Sequence, residues 1–138
     1  MTTQPDFSRL MQGVIPYLAI DGAQAAIDFY TRAFGAVQHG EAVAGADGRI
    51  MNASLEVNGG MIMLMDTFPE PGMDQPATAR GMTLQLVVAE ADPWWNRALA
   101  AGCEVTHPLR LEFWGDRYGR LRDPFGLEWA FNEPGPGK

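Results

Sequence analysis

Apolar and polar positions along the chain run through one series of periods twice. "VIPYLAID" (14–21) is a short apolar run between Gly13 and Asp21-Gly22, and it predicts a strand. In "GAQAAIDFYTRAFGA", which follows, Ala26, Ile27, Tyr30 and Phe34 share one face at helical spacing, and Gly35 closes the helix. "VQHGEAV" is a short strand and Ala44-Gly45-Ala46-Asp47-Gly48 a turn. "RIMNASLEV" and "MIMLMD" flank Asn58-Gly59-Gly60, a hairpin signal. Residues 67–80 carry Pro69, Pro71 and Pro76 and predict a long loop.

The order then returns. "GMTLQLVV" (81–88) is a strand, and "EADPWWNRALAAGC" is a helix with Asp92 as its N-cap and Pro93 at its first position. "EVTHPLRL" is a strand, and "DRYGRLRD" and "LEWAFN" flank Pro124-Phe125-Gly126 in a second hairpin. A shift of 68 lays Leu18 on Leu86 and Ile20 on Val88, and a shift of 66 lays Gly60 on Gly126 and Leu55 on Leu121. Each half therefore reads βαβββ, matched by pattern more than by identity. The expected fold class is α+β, with repeat 1 at about 13–66, a linker loop at 67–80 and repeat 2 at about 81–133. Residues 1–12 read as a flexible lead-in and 134–138 as a tail.

Composition narrows the function classes. A chain of 138 residues is one domain by length, and 46% apolar content supplies a core. The net charge of −7, without a basic cluster, argues against nucleic acid and anionic lipid as partners. No apolar run approaches the roughly 20 residues of a membrane span, and "MTTQPDFSRLMQG" has no signal-peptide core. The single cysteine, Cys103, forms no internal disulfide, follows a helix-ending glycine and reads as structural. A lone thiol points to the cytoplasm.

Two βαβββ units with "AIDFYTRAFGA" after the first strand and "RDPFGLEW" in the last hairpin resemble the vicinal oxygen chelate superfamily. That superfamily includes glyoxalase I, bleomycin resistance proteins and extradiol dioxygenases. The "PYL" opening, "FWGDRYG" and the closing "DPFG" are most similar to its PhnB-like branch. The resemblance spans about residues 13–133. It implies a curved mixed sheet around a cavity, a homodimer, and, in the metal enzymes, one histidine or glutamate on each of four end strands. Carried onto this chain, those four slots fall on Ile15, Leu64 (or Met63), Thr83 (or Met82) and Ala130. None supplies an adequate ligand for a divalent ion, so no metal and no cofactor is expected. His39 and His107 lie outside the slots and read as ordinary exposed histidines.

Strand alternation places the remaining polar groups. Met51, Ala53, Leu55 and Val57 share one face, with Asn52, Ser54 and Glu56 on the other. Tyr118, Arg120 and Arg122 lie opposite Gly119 and Leu121, while Glu128, Ala130 and Asn132 share a face. If the apolar set is buried, the polar set faces solvent or the cavity that the resemblance implies. The candidate ligand-binding residues are then Tyr17, Glu56, Gln85, Arg120, Arg122 and Glu128, with Trp114 as an aromatic cap. Arg120 or Arg122 can simply pair with Glu128 across the hairpin; a guanidinium in a half-dry pocket is equally a bidentate seat for a carboxylate or phosphate. Arginines beside Glu128 make it a weak base, which favours binding over proton chemistry. No catalytic residue is assigned. The leading expectation is metal-free binding of a small organic ligand, in the manner of bleomycin-resistance sequestration. The alternative is a metal-dependent lyase or isomerase of the glyoxalase type. Trp94 and Trp95 are expected to divide between core and surface, and Met61, Met63 and Met65 to fill core.

Overall fold

A computed structural model describes residues 7–68, 70 and 80–138. Residues 1–6 of the lead-in, and 69 and 71–79 of the proline-bearing loop, lie outside the described residues. The elements are α1 (Phe7–Leu10), β1 (Tyr17–Ile20), α2 (Ala23–Phe34), β2 (Val37–Ala44), β3 (Ile50–Val57), β4 (Gly60–Asp66), β5 (Thr83–Val87), α3 (Ala91–Ala101), β6 (Glu104–Leu111), β7 (Arg117–Arg122) and β8 (Glu128–Glu133). The one-turn α1 falls in the segment expected to be an irregular lead-in.

Among the described residues there are two four-stranded mixed sheets, one to each βαβββ series, ordered β1-β4-β3-β2 and β5-β8-β7-β6. The chain divides into two compact units, Met1–Thr31 with Gly35–Ala77, and Thr78–Lys138 with Arg32–Phe34.

In the first unit β1 runs parallel to β4, pairing Leu18 with Leu64 and Ile20 with Asp66. The buried face of this sheet carries Leu18, Leu64, Ala53, Leu55 and Ile62. Asn58 and Gly59 both take positive φ, 51° and 77°, and Val57 pairs with Gly60. That left-handed pair suits the twist of the strands it joins. In the second unit β5 runs parallel to β8, and Leu121, Trp129 and Phe131 are fully buried. α3 lays Trp95 on this core, edge-on to Phe131 at 6.3 Å between centroids. Gly119 of β7 leaves room for it: a Cβ there would stand 2.5 Å from Trp95 Cζ3. Trp94 is half-buried, with the Arg97 guanidinium stacked 4.8 Å from its ring.

The helix starts depart from local capping. Asp92 is not the N-cap of α3: the cap position is Glu90, and Pro93 lies inside the first turn. Instead the Ala91 N–H donates to Glu133 Oε1 at 2.8 Å, from the end of β8. α2 begins the same way, with Ala23 N–H donating to Asp66 Oδ1 at 2.8 Å, from the end of β4. A carboxylate on the last strand of each unit meets the positive end of its helix. Asp92, released from capping, accepts two hydrogen bonds from Arg117 at 2.9 and 3.0 Å.

Candidate functional site

The face of the second sheet opposite Leu121 and Trp129 gathers the chemistry-bearing side chains. Register fixes three rows across β5, β8, β7 and β6. Thr83, Glu128, Arg122 and Glu104 form one, and Gln85, Ala130, Arg120 and His107 the next. Val87, Asn132, Tyr118 and Arg110 form the third. The alternation that predicted Arg120, Arg122 and Glu128 on one face is thus seen in the ladder.

Glu128 is held from three sides. Arg122 Nε donates to its Oε1 at 3.1 Å, Thr106 Oγ1 donates to its Oε2 at 2.9 Å, and Arg120 Nη2 stands 3.6 Å from that same oxygen. Arg122 therefore spends itself on the cross-hairpin pair. Arg120 does not: its contact is too long for a hydrogen bond, and its Nε is buried without a partner among the described residues. Ala130 lies between Arg120 and Gln85, so no side chain longer than a methyl separates them within the row. Gln85 is exposed.

Sequence reading missed His107. The ladder shifts register between Val105 and His107, and such a bulge re-aims side chains. Thr106 reaches Glu128 while His107 pairs in register with Arg120. His107 Nε2 lies 2.6 Å from Glu112 Oε1, and its ring is 5.7 Å from that of Tyr118. The hydrogen bond from His107, then Arg110, holds the Glu112 carboxyl below the usual carboxylate range. His39 is no ordinary exposed histidine either: its Nε2 lies 2.9 Å from Glu56 Oε1 and only 10% of its side chain is exposed. A bulge and a partner at the end of the same strand leave no periodic trace in a sequence. The only available signal was a histidine before proline with glutamate five residues on.

Trp114 sits on the β6–β7 loop, 41% exposed and edge-on to Tyr118 at 5.8 Å. The loop is pinned through Asp116, which accepts from Gly135 N–H (2.8 Å), Lys138 Nζ (3.0 Å) and Asn132 Nδ2 (3.1 Å). The Gly135 N–H, then Lys138 and Asn132, hold the Asp116 carboxyl down to about 2. Lys138 also donates to the Trp114 carbonyl at 2.6 Å.

Tyr17 and Glu56 belong to the first unit. Tyr17 Oη donates to the Met51 carbonyl at 2.7 Å, and Glu56 is taken by His39. The row of that sheet equivalent to Gln85–Ala130–Arg120–His107 is Tyr17–Met63–Ser54–His39. Met63, rather than Leu64, is thus the residue of β4 in register with Tyr17 and Ser54, because Leu64 pairs with Leu18 and Ala53 on the buried face. The methionines correct the core expectation too: Met61 is buried, but Met63 and Met65 are half-buried on the face away from Leu64.

The side chains that the resemblance assigns to the four positions, Ile15, Leu64 or Met63, Thr83 or Met82, and Ala130, include no histidine or carboxylate for the divalent ion of the metal enzymes. Among the described residues no three histidine, cysteine, aspartate or glutamate side chains come together to hold one. No helix among the described residues is long and apolar enough to cross a membrane.

Known proteins agree with this architecture. The uncharacterized protein Mb0911c of Mycobacterium bovis is 42% identical over 124 residues, covering 86% of this chain and 81% of that protein. The crystal structure of TioX from Micromonospora sp. ML1 matches with a TM-score of 0.68 at 29% identity, over 88% of this chain and 98% of that one. The PhnB protein from Bacillus cereus shares the fold, with a TM-score of 0.69 at 17% identity, over 88% and 99% of the two chains. The profile of the Glyoxalase/Bleomycin resistance protein/Dioxygenase superfamily matches residues 13–131. That match covers most of the chain and agrees with the twin βαβββ units, and it makes this chain a member of the glyoxalase/bleomycin resistance/dioxygenase superfamily.

Proposed function

We propose that the protein binds a small organic acid, without a metal in the four slots, on the Arg120 face of the second sheet. One observation carries this reading: the buried Nε of Arg120 has no partner among the described residues, beside an in-row alanine. An unmet buried donor costs about 1–3 kcal/mol. The Arg120 side chain is 41% exposed, and a turn of it that opens Nε lets a carboxylate accept from Nε and a terminal nitrogen together, relieving that cost in a bidentate geometry. Gln85 supplies a further polar contact, and Tyr118 with Trp114 supplies an aromatic flank.

The test is native mass spectrometry of the protein as purified, then calorimetry with benzoate and 2-oxobutyrate. Arg120→Ala is expected to weaken binding by about 1.5–3 kcal/mol, the range for hydrogen bonds to charged groups. An affinity equal to that of the unaltered protein removes Arg120 from the site. Stoichiometric zinc, nickel or manganese by elemental analysis would favour the metal-dependent lyase or isomerase instead.

A further inference from the structure

We propose that the His107–Glu112 pair is a proton-transfer dyad acting on an enolisable 2-oxo acid seated on Arg120. The inference rests on the binding reading above and adds the substrate class and a reaction. His107 and Arg120 pair in register on adjacent strands, and both stand on the face of Tyr118, whose ring lies 5.7 Å from that of His107, so one small acid can span the two side chains. Glu112 is 11% exposed and stands 2.6 Å from His107 Nε2. An ionised carboxylate only accepts, so Nε2 carries the proton and Nδ1 is left as the basic nitrogen. No described residue is hydrogen-bonded to Nδ1. Glu128, the carboxylate that strand alternation placed on this face, is already engaged by Arg122 and Thr106 and has no such freedom.

The chemistry follows from these roles. With the carboxylate of a 2-oxo acid on Arg120, the C3–H bond breaks and its proton passes to Nδ1. The electron pair moves onto the 2-oxo oxygen as an enolate. The imidazolium is held by Glu112, as a carboxylate orients and steadies a histidine base elsewhere. Return of the proton to carbon closes the cycle, so no oxidant, reductant or co-reactant is required. Glu112 is a positioning residue, since it acts only through His107.

The experiment follows deuterium incorporation at C3 of 2-oxobutyrate in D2O by proton NMR, with affinity measured in parallel by calorimetry. Exchange is expected to exceed the buffer rate by at least about tenfold, the low end of what a positioned base supplies being about a hundredfold. His107→Gln should remove the excess while affinity stays within about twofold, and His39→Gln should leave it intact. Glu112→Gln should lower kcat for exchange with KM unchanged, a split that a merely structural role would not give. Exchange at the buffer rate in a protein that binds 2-oxobutyrate, or exchange surviving His107→Gln, overturns this inference and leaves the binding reading standing. Absence of binding overturns both.

Discussion

Replacing Gly119 by alanine tests how β7 is held against α3, and hence how Arg120 is positioned. An added Cβ would stand 2.5 Å from Trp95 Cζ3, 2.9 Å from Trp95 Cη2 and 2.9 Å from Leu109 Cα. Carbon atoms rest at about 3.5–4.0 Å, so ring and strand would have to part by roughly an ångström. The ring has little room, because Trp95 is buried and edge-on to Phe131. The Leu109 contact is backbone in the adjacent strand. Overpacking of this kind costs about 1–3 kcal/mol, against a gain of about 0.4–1 kcal/mol from a stiffer unfolded chain. The net expectation is a loss of about 1–2 kcal/mol. In urea unfolding followed by tryptophan fluorescence, with a slope of about 1–3 kcal/mol/M, the midpoint should fall by about 0.5–1 M. Trp95→Phe trims the part of the ring that clashes and leaves the Leu109 contact, so Gly119→Ala should cost measurably less in that background. A midpoint that holds or rises, or purely additive effects in the double variant, would refute the close-packing argument.

Other expectations follow from the caps, the loop and the thiol. Glu133→Ala removes the acceptor of the Ala91 N–H and should cost about 0.5–2 kcal/mol, as other lost caps do, with α3 amides exchanging faster in hydrogen-exchange measurements. Asp116 sits at about 2 in the folded chain against an ordinary 3.8, so its contribution is complete above about 3.8 and is lost as pH falls toward 2. Acid unfolding of Asp116→Asn should lack that component, and an identical acid profile would contradict the assignment. Burial, then the nearby Asp123 carboxylate, pushes the Cys103 thiol up to about 12. It should resist iodoacetamide at neutral pH until the chain unfolds, and rapid labelling of the native protein would show a thiol other than the one described.

The fold was legible where its determinants were local. Asn58-Gly59-Gly60 marks a turn whose first two residues need positive φ, and the structure has them there. "EVTHPLRL" runs as β6 from Glu104 to Leu111 because its flanks, Gly102 and the aromatic loop, both interrupt strand. The polar faces of β7 and β8 followed from alternation alone. What was hidden depends on distance along the chain. Asp92 has the chemistry of a cap, but the acceptor used lies 42 residues from Ala91. Leu64 and Met63 are equally apolar, and only the parallel register with β1 shows which of them shares a face with Tyr17. His107 gains its partner through a break in alternation, the feature that period-two reading assumes absent.

The matched rows Tyr17–Met63–Ser54–His39 and Gln85–Ala130–Arg120–His107 show what the repeat keeps and what it lets vary. Both copies keep a histidine at the rim. Between the rims a hydroxyl answers a guanidinium, and a thioether answers a methyl. The apolar side of each sheet meanwhile remains oily, Leu55 beside Ile62 and Leu121 beside Trp129. A repeated pattern lets the oily side of each half stay alike while its polar side differs, because folding does not draw on that second surface.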